Sequence, residues 1–352
     1  MRLEMINALR RKIVTRVPVD VYFCESQVQA FKRRFGHTDY LAYFDMLHRP
    51  VYVDLKKNFE DGFKLYPREE LPKEIEFDAY GIGHSKGSEA AFHMTMLHHP
   101  LKGADIEEII NYPYPGVNEG AQEKLNREVK AFHHHNKATM GLMTMTIWEA
   151  SWYLRSMEEL MIDMLMADEK ATVLFDKICD FSCSLAAHYA KADTDILALG
   201  DDIGTQSSTI MDVPTWQTYL KPRLKKVIDT AKAIKPDILI YFHSCGFVTP
   251  FIEDLIEIGV DILNPIQPES MNFDEVYDEY GDRLSFWGTL GTQKLLPFGT
   301  PEEVYDVTYN RLMKCNGTGI VIGPTHIVEP EVPWENLLHF KKAVKDFQTN
   351  NL

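Results

Sequence analysis

The chain has 352 residues, 45% of them hydrophobic, enough to bury a large core in one big α/β domain or two smaller ones. Acidic residues outnumber basic ones 52 to 37, a formal charge of -15 that disfavours nonspecific binding to nucleic acid or an anionic membrane. No apolar run reaches the roughly 18 residues of a spanning helix, and five scattered cysteines argue against a disulfide framework, so a reducing cytoplasm is the expected location.

In chain order, a first strand is expected over Arg16–Phe23, ending at Phe23-Cys24-Glu25. Weaker strand signals follow near Val51–Leu55 and Glu76–Tyr80. They lie within Asp39–Lys137, which reads as long β-α connections adding helices and a lid. The Ala138–Thr146 strand precedes Ile147-Trp148-Glu149, and the Asp195–Leu199 strand runs into Gly200-Asp201-Asp202. Pro214–Ile234 reads as a helix opened by proline and kinked at Pro222. Asp237–Phe242 delivers His243-Ser244-Cys245-Gly246, Val248–Ile258 is helical, and Val260–Asn264 leads on to Gln267. Leu284–Gly288, the helix Pro301–Cys315 and the strand Gly319–Gly323 complete the series, the last ending in Pro324-Thr325-His326. These strands are short, rich in Ile, Val and Leu, and nearly continuous in apolar character, as parallel strands buried on both faces are. Seven or more strand-helix units favour a (β/α)8 TIM barrel over an open doubly wound sheet, and no G-x-G-x-x-G follows the first strand. The expected architecture is a single barrel domain over residues 1–352 with extra N-terminal helices and long connections.

A β/α barrel carries its active site where the strands end, and polar side chains stand at nearly every exit. His243 and Cys245, two residues apart on an extended segment, point the same way. A thiolate beside an imidazole suits zinc better than magnesium or calcium. His326 comes from the strand expected to close the barrel, so His243, Cys245 and His326 form a candidate three-ligand site with one open position. An oxygen from Glu25, Asp202 or water would complete it. His326 is equally a candidate substrate hydrogen-bond donor, and Asp201-Asp202 has the alternative of capping a turn. Asn264 and Gln267, with Glu25 at the mouth, are candidate substrate contacts; Asp202, Glu149 and His326 are the candidate catalytic groups. His133-His134-His135 sits in a polar stretch and reads as solvated surface, and His98-His99 reads as loop. The methionines 140, 143, 145, 157, 161, 164 and 166 read mostly as core, with some lining an apolar part of the pocket.

Several segments then carry a resemblance. They are Ala8-Leu9-Arg10-Arg11 with Thr15-Arg16-Val17-Pro18-Val19, His99-Pro100-Leu101-Lys102 through Asn111-Tyr112-Pro113, Glu149 through Trp152-Tyr153-Leu154-Arg155-Ser156, and His326 through Pro330-Glu331-Val332-Pro333-Trp334-Glu335-Asn336. Over nearly its whole length the chain resembles the uroporphyrinogen decarboxylase-like superfamily, closest to its cobalamin (corrinoid)-dependent methyltransferase branch. The resemblance implies a (β/α)8 barrel. The R-Q-A-G-R motif of true decarboxylases is replaced by Phe23-Cys24-Glu25-Ser26-Gln27-Val28, which removes the arginines that grip a polycarboxylate. Corrinoid methyltransferases carry H-x-C where His243 and Cys245 stand, and usually a cysteine where this chain has His326. The implied function is a zinc-dependent methyltransferase moving a methyl group between a small thiol or methoxylated compound and a separate corrinoid protein, since no cobalamin-binding Asp-x-His-x-x-Gly is present. A decarboxylase of a porphyrinogen-like acid and a noncatalytic tetrapyrrole- or corrinoid-binding barrel are the alternatives. A homodimer is the assembly to test.

Overall fold

The computed structural model describes residues 1–85, 96–143 and 145–352. Thr144, within an expected strand, and residues 86–95, within the long connections, lie outside the described residues. Seven parallel strands bond in the order His48–Val51, Ala138–Met143, Ile196–Gly200, Leu239–His243, Ile262–Asn264, Ser285–Trp287 and Ile320–Val321. The expected first strand, Arg16–Phe23, is not a regular strand. Val19 bridges Ile322 and Phe23 bridges Val328, both parallel, and Pro18, which lacks an N–H, contributes only its carbonyl to Ile322. This segment is the eighth stave. Towards the His48–Val51 strand the contacts come from side chains: His48 Nε2 lies 3.2 Å from Asp20 Oδ1 and 3.3 Å from the Tyr22 hydroxyl. The architecture is a (β/α)8 barrel.

The continuous apolar character of the strands has a simple cause. Alternate residues face opposite sides, and both sides are buried. Met140, Ala198, Tyr241, Trp287 and Val321 pack together inside the barrel. Their neighbours Leu197, Leu199, Ile240, Phe242, Phe286 and Ile320 pack outward with the helices. Each fully buried side chain of this size contributes about 1.5–3 kcal/mol. The helix Arg2–Leu9 sends Met5 and Leu9 into the inner cluster, and Gly319 N–H donates to the Ala8 carbonyl, so this helix plugs the bottom of the barrel.

Local signals set several boundaries. Pro301–Cys315 begins with a capping box between Thr300 and Glu303 and ends at Asn316 in the left-handed conformation. The expected helix Pro214–Ile234 is two helices, Val213–Tyr219 and Lys221–Ile234, broken at Leu220 because Pro222 cannot donate to the preceding turn. The signal near Glu76–Tyr80 belongs to a separate antiparallel sheet of Ile75–Phe77, Gly83–Ser85 and Met96–His98. His98 therefore ends a strand instead of lying in a loop, and it is buried with Nδ1 2.7 Å from Glu69. Among the described residues no helix is long and apolar enough to cross a membrane.

Candidate functional site

The site is assembled by the loops that leave two neighbouring strands. Gly200 and His243 are register partners, as are His243 and Asn264. The loop after Gly200 and the loop after His243 then run backbone against backbone. Phe247 N–H donates to the Thr205 carbonyl at 2.7 Å, and a Cβ on Gly246 (φ +84°) would lie 2.5 Å from that carbonyl oxygen. Only glycine permits both the positive φ and this approach. The contact brings Asp202 onto the His-x-Cys turn, where its Oδ1 accepts from Cys245 N–H at 2.7 Å. His243 Nε2 lies 3.6 Å from Cys245 Sγ and 3.7 Å from Asp202 Oδ1. One donor atom each from Asp202, His243 and Cys245 falls within 4.8 Å of the others.

The imidazole is fixed from behind. Asn264 Nδ2 donates to the Trp287 carbonyl at 2.7 Å, which sets its amide orientation and turns Oδ1 towards His243 Nδ1, 2.5 Å away. Nδ1 must carry the proton, so Nε2 presents its lone pair to the cluster. Burial, then the charges of Asp202 and Glu149, push the Cys245 thiol well above its ordinary pKa. The same causes, burial first and Asp202 and Asp201 after it, raise Glu149 to about 9. None of the described residues lining the surrounding cavity is Lys or Arg. A thiol, an imidazole lone pair and a carboxylate converging without a counter-cation fit a divalent metal, which would draw the proton from the thiol. The donor set of one nitrogen, one sulfur and one oxygen matches zinc.

A cavity of about 720 Å³ opens over this cluster. His326 and Glu149 line it together with His243, Asp202 and Asn264, and Met140 and Met145 form part of its apolar wall. His326 stands outside the three-residue donor cluster. Asn264 spends both polar atoms on His243 and Trp287. Gln267 is buried behind the wall, where its Oε1 accepts from Gly246 N–H at 3.0 Å. Glu25 is exposed on the first turn of Glu25–Phe35, bonds Gln29, and is not among the lining residues. The acidic pair divides: Asp202 faces the cluster, while buried Asp201 accepts from the N–H groups of Ile147 and Glu149 and caps the helix Trp148–Arg155. Burial pushes Asp201 up to about 7 against those backbone donors.

Sequence reading missed Asp20, Tyr22, Tyr52 and Tyr153, all in the cavity wall. An aspartate inside the apolar run Val17–Phe23 was the available signal for the first. His133 is also corrected. It is half-buried, with Nε2 3.0 Å from Asp195 and 3.1 Å from Thr139, because the helix Ala121–His134 ends against the strand bottoms; His134 and His135 are exposed as read.

The model of the uroporphyrinogen decarboxylase (URO-D) family matches residues 123–347, well over half of the chain. The chain therefore belongs to that family. Among curated relatives it is 31% identical over 186 residues to a methylated-thiol–coenzyme M methyltransferase of Methanosarcina mazei, covering 51% of this chain and 45% of the relative. It is 23% identical over 259 residues to a chloroplastic uroporphyrinogen decarboxylase of Zea mays, covering 71% and 63%. The chain spans about half the length of most of the curated relatives it matches. A solved methyltransferase from Methanosarcina mazei superposes with TM-score 0.69 at 16% identity over 98% of both chains, which establishes the shared fold.

Proposed function

We propose that this chain transfers a methyl group between a small thiol or methoxylated substrate and a corrinoid carried by a partner protein. The observation that carries this reading is the Asp202, His243 and Cys245 cluster at the cavity base. Similarity to a methylated-thiol methyltransferase supports it. The three residues would hold zinc, with His326 as a further ligand or an acid. Bound there, zinc would supply Lewis-acid stabilisation of negative charge on the substrate sulfur or oxygen.

The chain's own residues do the rest. Asn264 keeps the His243 lone pair aimed. Glu149, protonated at neutral pH because its pKa is raised to about 9, holds a proton that it can hand to a departing oxygen. The Tyr153 hydroxyl, 3.4 Å from Glu149 Oε1, steadies that carboxyl. Decarboxylation of a polycarboxylate is the less supported reading, because the described lining residues offer no Lys or Arg as counter-charge.

The test is metal content together with turnover. Zinc-supplied protein is expected to hold one equivalent and either to transfer the methyl of methylcobalamin to a thiol from an acceptor panel or to methylate cob(I)alamin from a methoxyaromatic donor, releasing the phenol. His243→Ala and Cys245→Ser are expected to lose both properties. Metal-free wild type with full activity would overturn the proposal.

A further inference from the structure

The cavity wall carries a second polar centre away from the His-x-Cys turn. Asp20 lines the cavity on the eighth stave. Its Oδ2 accepts from Trp287 Nε1–H at 2.8 Å, and its Oδ1 lies 3.2 Å from His48 Nε2 with no hydrogen-bond partner. The side chain is 15% exposed, so a mostly desolvated carboxylate is held in place at the wall. Around it the cavity is aromatic: Tyr22, Phe23, Tyr52, Tyr153, Tyr241 and Trp287 all line it. Arg49, next to His48, spends its Nη1 on the Met46 and His48 carbonyls and is not a lining residue.

Charge decides what such a cavity accepts. A divalent metal on Asp202 and Cys245 would be matched by those two groups. The remaining acidic lining residues are Asp20 and Glu149; Glu149 keeps its proton, which leaves the Asp20 carboxylate as the fixed charge, and among the described residues no Lys or Arg lines the cavity beside it. An anionic substrate would be desolvated without a partner, which is costly. A cationic one would meet a fixed carboxylate and aromatic faces, each favourable to a desolvated ammonium.

Resting on the methyltransferase reading, we infer that the substrate is a small cation, a thiol or methyl ether whose other end is an ammonium group seated between Asp20 and the aromatic wall. The chain would thereby discriminate against anionic thiols such as coenzyme M, which the name of its Methanosarcina mazei relative carries.

Three thiols with the same two-carbon spacer test this: 2-aminoethanethiol, 2-mercaptoethanol and 2-mercaptoethanesulfonate, titrated calorimetrically into the zinc-loaded protein. The amine is expected to bind at least about tenfold more tightly than the alcohol, and the sulfonate more weakly than either. Asp20→Asn is expected to erase the advantage of the amine while zinc stoichiometry stays at the wild-type value. The wild-type ranking stands as a test by itself if that variant folds poorly. Equal binding of all three, or tightest binding of the sulfonate, overturns the charge inference and leaves the methyltransferase reading intact. No binding of any of the three thiols, nor of 2-methoxyethylamine as the methyl-ether counterpart, overturns both.

Discussion

Asp195 and Asp202 flank the same strand, Ile196–Gly200, and meet opposite fates. At the bottom, Asp195 is buried and saturated. It takes Arg2 through Nε at 2.9 Å and Nη2 at 2.7 Å, His133 at 3.0 Å and the Thr139 N–H at 2.9 Å. At the top, Asp202 is 40% exposed, accepts the Cys245 N–H, and sits near Glu149 and Asp201, which repel it. One carboxylate has every partner it needs for folding. The other sits beside two carboxyls that burial pushes towards their protonated forms, an arrangement that marks a candidate ligand site.

This contrast makes its largest claim at the bottom. Asp195→Ala should cost about 3–5 kcal/mol, because Arg2, His133 and a buried N–H lose their common acceptor; denaturant melts measure it, and zinc content of the folded fraction should not change. At the top the stability effect should be small and the functional one large. His243→Ala or Cys245→Ser should lower turnover at least about a hundredfold with parallel loss of zinc. Asn264→Ala, which frees the imidazole without removing it, should weaken metal affinity about tenfold, read by competition with a chelator. Glu149 gives the smallest and most specific effect, in metal-free protein. A carboxyl whose pKa rises on folding favours the folded state below its ordinary value of 4.5, and loses that advantage as pH climbs to about 9. Between pH 6 and pH 7 wild type should therefore lose up to about 1.4 kcal/mol relative to Glu149→Gln. Parallel pH–stability curves for the two proteins would place Glu149 outside the acidic cluster's influence.

The top of this comparison was readable from sequence because strand ends and metal donors announce themselves in one dimension. His243 and Cys245 are two residues apart in the chain, and the apolar run before them marks the strand. What escaped depends on neighbours far away in sequence. Asp20 sits in a run that looks like any strand, and its role appears only when Trp287 and His48 are brought beside it. His133 looks solvated until the helix end meets Asp195. Asp201 and Asp202 are chemically identical in sequence, and only the arrival of the Trp148–Arg155 helix N-terminus separates cap from candidate ligand. The three-stranded sheet around His98 was hidden because each of its strands is only three residues long.

The plug formed by Met5 and Leu9 has a kinetic meaning. With one end of the barrel stoppered, the small molecule and the corrinoid of the proposed partner protein would have to use the same doorway. Whichever is larger has to come last, since its arrival seals the way for the other. The expected order is therefore compulsory: small substrate in, carrier docked, carrier away, product out. Excess carrier should then inhibit by trapping, a pattern that initial-rate measurements against both reactants would reveal.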